Sequence, residues 1–300
     1  MKDRVIRSLL VATIILLGIV LYHFQGNTTD VQSFGHSALR WMVAKWSEPG
    51  GTMSHGWLIP IVSVYLVWRR RQDLINAEKS VSYVGLLLVV LALLLHWIGI
   101  KAQQSRLALL SLIMLLWGVP SYAYGRNVGR VLFFPCVYLL FCIPWNFLED
   151  MTLPLRLFAS EASVLLLNGI GIVTMRTGTT IWSPHQGGFV FEVADPCSGL
   201  RSLMAIAALT AAYAQVAQNG LIKKWILFLS ALPLVLAANI ARLLTIVIVA
   251  ETIGNERAIK FAHDYSGYVV FLVAVALMAS VNSLLNSGAW RMNKNAFEKQ

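Results

Sequence analysis

Residues 81–100 are VSYVGLLLVVLALLLHWIGI, a run with no charged side chain that is long enough to cross a bilayer as a helix. Several further apolar runs of 18 residues or more follow along the 300-residue chain. Hydrophobic residues make up 57% of the sequence and charged residues only 13%, which is more apolar surface than a soluble domain can bury. Because backbone groups in lipid must pair within the protein, we predict an all-α polytopic membrane protein.

Basic residues cluster at the ends of the apolar runs, so the formal charge of +10 indicates topology and contact with lipid headgroups rather than binding of nucleic acid. Arg69, Arg70 and Arg71 form the strongest cytoplasmic marker, and both termini are basic. We therefore predict eight transmembrane helices, an uncleaved first span, and both termini in the cytoplasm. The spans cover roughly residues 5–22, 55–71, 81–100, 107–124, 131–147, 197–216, 225–250 and 265–285.

The apolar segment Met151–Met175 is the one topological ambiguity. Arg156, Ser160 and Ser163 have the spacing of one helical face, which favours an amphipathic helix lying in the outer interface. The alternative is an ordinary span, which would put Cys197 in the cytoplasm or invert half of the charge pattern. There is no internal repeat or low-complexity linker, so we expect one integral-membrane domain over residues 1–300.

Between residues 177 and 195 the pattern changes from helical to extended. Thr179–Trp182 and Phe189–Val193 flank a turn rich in proline and glycine, which predicts two short strands. We expect a small β-hairpin on the outer side that leads directly into the next span.

That span opens with Asp195-Pro196-Cys197-Ser198-Gly199-Leu200-Arg201-Ser202. Asp195 is a good N-cap residue and Pro196 suits the first helical position, so Cys197 falls in the first turn of a helix. Free N–H groups, the positive end of the helix dipole and Arg201 at i+4 all favour a thiolate there. The alternative is a small packing residue. Packing is the role we assign to Cys136 and Cys142, which lie within an apolar run, and no disulfide framework follows.

An arginine lies within the seventh apolar run, in Asn239-Ile240-Ala241-Arg242. Arg242 is 18 residues beyond the basic end at Lys224, or about 27 Å along a helix, which corresponds to the outer part of the bilayer. A charge within a span normally faces a partner or a wet cavity, although snorkelling to the outer headgroups is an alternative. Asn239 could orient a substrate or the arginine, or it could bond a neighbouring helix.

His263 immediately precedes the last span, on the same predicted outer side, and histidine suits proton transfer near neutral pH. Cys197, Arg242 and His263 thus come from three spans and reach one face, where they could form a nucleophile, an anion stabiliser and an acid–base group. His36, His55 and His185 are also candidates on the outer side. The histidines lack zinc-site spacing and there is no phosphate-binding glycine loop, so we expect no metal and no cofactor.

The chain resembles the exosortases and their archaeal relatives, the archaeosortases. The resemblance rests on residues 55–60 with 68–70, residues 197–202, residues 239–242, and residues 261–263 with 266–267, which occur in this order over most of the chain. Pro196 departs from the alanine expected after the acidic residue, but it fits a helix start.

The resemblance implies a cysteine transpeptidase of the cytoplasmic (inner) membrane with its active site on the outer face, and it implies Cys197, Arg242 and His263 as catalytic residues. Its substrates would be exported proteins whose C-terminal sorting signal consists of a short motif such as Pro-Glu-Pro, a transmembrane helix and a basic tail. Components of an exopolysaccharide system are further candidate partners. Asp195, Arg201 and Asn239 are candidates for supporting roles.

Three other functions remain compatible with the sequence. A membrane cysteine protease that only hydrolyses would use the same residues. In a transporter or channel, Arg242 and Asn239 would line a pathway, although there is no inverted repeat and few charges lie within the spans. A scaffold for assembly of envelope polysaccharide would need no chemistry.

Overall fold

The computed structural model describes residues 2–27, 29–48, 51, 53–145, 152–185, 188–192, 200–254 and 266–287. The chain is mostly helical, as predicted, with one small antiparallel sheet. It divides into two compact units, Met1–Trp145 and Asn146–Gln300, which are described separately. A single integral-membrane domain over residues 1–300 stays a prediction.

Eight α-helices form the described part of the first unit: α1 (Lys2–Gln25), α2 (Val31–Phe34), α3 (Ala38–Ser47), α4 (Leu58–Arg69), α5 (Arg71–Asn76), α6 (Tyr83–Lys101), α7 (Ser105–Tyr124) and α8 (Arg126–Tyr138). Single 3-10 turns, Ser54–Trp57 and Leu139–Cys142, precede α4 and follow α8. The described part of the second unit contains α9 (Thr152–Gly169), β1 (Met175–Thr177), β2 (Thr180–Trp182), β3 (Val190–Glu192), α10 (Leu200–Ala217), α11 (Leu221–Leu229), α12 (Ala231–Ile253) and α13 (Ser266–Asn286).

A helix occupies each of the eight predicted spans, but only some of these helices are long and apolar enough to cross a membrane on their own. In the described chain four helical stretches meet that requirement, namely Ile6–Gln25, Tyr83–Lys101, Ser105–Tyr124 and the stretch Leu221–Thr252 formed by α11 and α12. The helix α4 has 12 residues, and α8 stops at Tyr138, where the backbone tightens into a 3-10 turn. The number of membrane crossings therefore stays a prediction.

Glycine allows the close packing of α6 against α7 in the first unit. A Cβ at Gly85 would overlap the backbone of Tyr122, and one at Gly118 would lie 3.1 Å from the Leu88 and Val89 side chains. Small residues let membrane helices approach this closely, and the contact then extends along both helices. Helix α7, which also packs against α1 and α8, lies at the centre of the first unit.

We expect Gly85→Leu to destabilise the first unit by about 1–3 kcal/mol, because the new side chain must force α6 away from α7. Chemical unfolding of the purified chain in detergent measures the loss. Gly169→Ala is the matched control, since a Cβ there meets nothing within 4 Å. An unchanged unfolding midpoint for Gly85→Leu would contradict the close packing described here.

The segment predicted as an amphipathic helix over residues 151–175 is helical only to Gly169 in the described chain. The helix stops because Gly171 adopts φ +91° and the Asn168 side chain bonds both the N–H and the C=O of Thr174, at 2.8 and 3.1 Å. Residue 175 already belongs to β1. The predicted C-terminal boundary was therefore wrong by six residues.

The two serine hydroxyl groups of α9 point into the protein rather than towards solvent. Ser160 and Ser163 are fully buried and donate to the carbonyls of Leu157 and Ala159 in their own helix, at 2.9 and 2.7 Å. The exposed residues of α9 are mostly apolar, among them Leu165 at 74%, but the Glu161 side chain is also 73% exposed. A mostly apolar outer face suits a helix in contact with lipid, but its placement in the outer interface stays a prediction.

The predicted hairpin is confirmed as β2 and β3, which pair antiparallel with Ile181 opposite Phe191. Sequence analysis missed β1, which pairs antiparallel with β2 through a turn at Gly178, where φ is +61°. That turn favours glycine because side chains avoid positive φ. The apolar run before β1 concealed the strand, because its periodicity continued the preceding helix.

Candidate active site

Arg242 and Asn239 are buried on α12, with 7% and 1% of their surface exposed. They are three residues apart and share one helical face. Transfer of an arginine to the centre of a membrane helix costs about 2.5–3.5 kcal/mol on insertion scales, so its position inside the second unit requires a function or a partner. The burial also shows that Arg242 does not snorkel to an exposed surface.

Two apolar clusters lie along α12 on either side of this arginine. The first, which we call the α10–α13 cluster, consists of Ile206, Ala231, Val235, Ala238, Val270 and Ala274. The second, which we call the sheet cluster, consists of Ala159, Leu167, Ile181, Phe189, Leu243 and Val247. Arg242 follows Ala238 by one helical turn and immediately precedes Leu243, so it lies where the two clusters meet.

The helices α10 and α13 run in the same direction, and α12 runs opposite to both. Thr210 Oγ1 lies 3.7 Å from Met278 Sδ, and further towards the C-terminal ends Asn282 Nδ2 donates to Tyr213 OH at 3.0 Å. Along the stretch formed by α11 and α12 the order is reversed, because Leu227 of α11 clusters with Ala214 while Val235 of α12 clusters with Ile206. Polar bonds between membrane helices contribute little energy, about 0.6 kcal/mol each, but they fix the register.

This register brings the first turns of α10 and α13 to the level of Arg242. Ile206 of α10 and Val235 of α12 belong to one cluster. Leu200, the first residue of α10, is six residues before Ile206, and Arg242 is seven residues after Val235 on the antiparallel α12. Val270 of α13 and Ala238 of α12 belong to the same cluster. Ser266, the first residue of α13, is four residues before Val270, and Arg242 is four residues after Ala238. The N-terminal ends of α10 and α13 therefore lie at about the level of the buried arginine along α12.

The sheet packs against α12 next to Arg242, on the C-terminal side of the arginine along the helix. Ile181 of β2 and Phe189, just before β3, are 0% and 3% exposed and pack with Leu243 and Val247 in the sheet cluster. The chain is thus held beside α12 just before residue 193 and again from residue 200. Sequence analysis missed Ile181 and Phe189 as residues that position this site; the available signal was the apolar alternation of the predicted hairpin.

The family model described as transmembrane exosortase matches residues 46–280, which is more than three quarters of the chain. The chain belongs to the transmembrane exosortase family. This confirms the resemblance proposed from the sequence, and it identifies the protein as a membrane protein of a peptidase-like enzyme family. No curated protein and no solved structure matches it.

The exosortase match spans all three predicted catalytic residues, of which the structure describes one. Arg242 is buried on α12 as reported above, whereas Cys197, His263 and the predicted N-cap Asp195 lie outside the described residues. Arg201 belongs to the first turn of α10, but its side chain is not described. The assignment of these residues to a site stays a prediction.

The three alternative histidines have different environments in this exosortase. His55 belongs to the first unit, where its Nε2 lies 3.2 Å from the carbonyl oxygen of Phe141. His36 and His185 are exposed. Among the residues described, no group of three or more His, Cys, Asp or Glu side chains could hold a metal ion. Absence of a metal in the whole chain stays a prediction.

Proposed function

We propose that this exosortase is a membrane-embedded cysteine transpeptidase that removes C-terminal sorting signals from exported proteins. The observation that carries the proposal is the buried Arg242 at the level of the first turns of α10 and α13, the two helices that Cys197 and His263 precede by three residues in sequence. Family membership supports an enzyme of the peptidase type. A buried guanidinium supports chemistry in which negative charge develops on a substrate.

Chain connectivity supports Cys197 as the nucleophile. It lies three residues before Leu200 and five after Glu192. Three residues of chain span about 11 Å at most, and this limit supports the proposal that the thiol acts near the end of α10 that lies at about the level of Arg242. In the proposed site the helix dipole and Arg201 favour the thiolate, and Asp195 caps the helix.

The proposed reaction has two steps. The Cys197 thiolate attacks a peptide carbonyl carbon of the substrate, Arg242 stabilises the oxyanion, and Asn239 orients the guanidinium or the substrate. The C–N bond then breaks as His263 protonates the leaving amine, which leaves a thioester on Cys197. In the second step an acceptor nucleophile, deprotonated by His263, attacks the thioester carbonyl and displaces the thiolate.

The proposed substrate is an exported protein with a short motif such as Pro-Glu-Pro, a transmembrane helix and a basic tail. Cleavage would take place on the outer face of the cytoplasmic membrane, with both termini of the enzyme in the cytoplasm. The apolar outer surfaces of the helices suit a substrate helix that approaches through the lipid bilayer. Components of an exopolysaccharide system are further proposed partners.

Intact mass analysis of a co-expressed substrate tests this function. Membranes containing the full chain are expected to yield a product that lacks the C-terminal helix and tail and carries the mass of an acceptor at its new C-terminus. A product that ends in a free carboxylate would identify the hydrolytic protease instead. Failure to shorten any protein with such a signal would favour the transporter or scaffold.

A further inference from the structure

A cavity of about 600 Å³ lies in the first unit, far in sequence from every residue of the proposed active site. Its walls are Leu9 and Val11 of α1, Leu74 of α5, and Val128 and Leu132 of α8. Cavities that bind small ligands have volumes of about 300–1,000 Å³, so this one can hold a chain-like apolar group. We call it the Tyr124 cavity, after the residue at its rim.

The rim of the Tyr124 cavity is polar and cationic. Lys79 Nζ lies 5.9 Å from the centre of the Tyr124 ring, and Tyr124 OH donates to Ser8 Oγ at 2.9 Å. Arg7, which directly precedes Ser8 in α1, donates to the Ala123 carbonyl at 3.3 Å and keeps further N–H groups that can bind an anion. An apolar pocket whose lining includes a lysine and a tyrosine, with an arginine next to the lining residue Ser8, is amphipathic in the same sense as a phospholipid.

The charge around this rim is predominantly positive. Among the described side chains at this end of the unit, where α1, α5 and α8 begin and α4 and α7 end, the acidic residues are Asp73 and Glu78. The basic residues are Arg7, Arg69, Arg70, Arg71, Lys79, Arg126 and Arg130. Basic pockets between membrane helices bind anionic headgroups, and the surrounding positive potential concentrates anionic lipids there.

The wall formed by α1 is in contact with the surroundings of the protein rather than with its core. Only 11% of the Ile6–Gln25 span is buried, and Leu9 is 61% exposed. A lipid molecule can therefore enter the cavity sideways from the bilayer. We propose that the Tyr124 cavity binds one anionic phospholipid, with an acyl chain against Leu9, Leu74 and Leu132 and the phosphate at Lys79 and Arg7.

Native mass spectrometry of the full chain in neutral detergent tests this site. The probes are phosphatidylglycerol and phosphatidylcholine with identical acyl chains, titrated onto delipidated protein. We expect one phosphatidylglycerol to bind at least about fivefold more tightly than phosphatidylcholine, the effect of one basic contact to a headgroup. Lys79→Gln is expected to remove about fivefold of that affinity. Equal affinity for the two lipids would overturn the proposal.

Two further variants separate the cavity from diffuse surface charge. Arg130→Gln removes the same charge at the same end, on a side chain that is exposed and bonded only weakly to Asn127 at 3.5 Å. It is expected to keep the lipid affinity, and a loss equal to that of Lys79→Gln would overturn the proposal. Leu74→Trp keeps every charge but fills the cavity, so it is expected to weaken binding of both lipids.

Leu9→Trp fills the cavity from the wall formed by α1, and it is a second cavity-filling variant in case Leu74→Trp does not fold. Leu9 is largely exposed, so its replacement removes little packing, and it is expected to reproduce the effect of Leu74→Trp. Thermal unfolding of each variant without lipid verifies that the fold is intact. If a folded Leu9→Trp protein binds phosphatidylglycerol as tightly as the wild type, the acyl chain does not enter the cavity and the proposal fails.

Discussion

Replacement of Cys197 by alanine is expected to abolish processing of the exported substrate. Alanine cannot form the thioester, and loss of the nucleophile in enzymes of this type lowers the rate by about 10⁴-fold or more. The full-length substrate should therefore accumulate in membranes that contain the variant at wild-type abundance. Immunoblotting of a substrate with an N-terminal tag gives the ratio of uncleaved to cleaved protein.

The other two cysteines provide the matched controls. Cys136 and Cys142 are buried at 9% and 5% exposure in the first unit, and the Cys142 thiol lies 2.9 Å from the carbonyl oxygen of Leu139. Their replacement by alanine removes one small packing group each, so processing should continue. Normal processing by Cys197→Ala would exclude the thiol as the nucleophile, and loss of processing in all three variants would indicate a folding defect instead.

The long uninterrupted helices are the part of the fold that sequence predicts best. The run predicted over residues 81–100 forms α6, which begins two residues later and ends one residue later than predicted. The agreement is close because a charge-free apolar run has no alternative to a helix in lipid. Short helices were harder to delimit. The apolar run that begins before Pro135 loses its helical geometry after Tyr138, where backbone geometry rather than hydrophobicity sets the boundary.

Helix α9 shows why the spacing of polar residues does not determine whether their face points into the protein or towards solvent. The spacing of Arg156, Ser160 and Ser163 correctly predicted a shared helical face, but Ser160 and Ser163 point inward. A serine hydroxyl can donate to a carbonyl one turn back in its own helix, so it can be buried without another partner. Periodicity alone does not separate this arrangement from a face turned to water.

For the candidate site, sequence analysis nominated the residues, and the structure adds the packing around one of them. Helical counting predicted that Arg242 lies at the level of the outer part of the bilayer, which stays a prediction, and in the structure Arg242 is buried between two apolar clusters. The register of α10, α12 and α13 depends on contacts between residues such as Tyr213 and Asn282, which are 69 positions apart. Contacts of that range leave no local signal in a single sequence.

Replacement of Arg242 by glutamine is expected to lower the rate of processing by about 10²–10³-fold. Loss of one group that stabilises a developing oxyanion has an effect of this size. Glutamine retains hydrogen-bonding groups at the buried position but not the charge, so it removes the electrostatic contribution with limited disturbance of α12. The measurement is the initial rate of substrate cleavage in membranes, normalised to the amount of folded enzyme.

Arg176→Gln is the matched control for loss of an arginine in the same unit. Arg176 lies on β1, where it is exposed and forms an ion pair with Glu161 at 3.5 Å, and pairs of this kind contribute about 0–1 kcal/mol. Cleavage by this variant should remain at the wild-type rate. Arg242→Lys should retain part of the activity, because lysine keeps the charge but lacks the planar fork of the guanidinium.

A structural role for Arg242 predicts a different combination of results. If the guanidinium only held α12 against its neighbours, Arg242→Gln would lower the unfolding midpoint, and cleavage per folded molecule would stay constant. If it stabilises the oxyanion, the folded variant should still bind uncleaved substrate and react slowly, because charge develops on the carbonyl oxygen only as the thiolate attacks. Co-purification of intact substrate with Arg242→Gln, together with an unfolding midpoint close to that of the wild type, would distinguish the chemical role from the structural one.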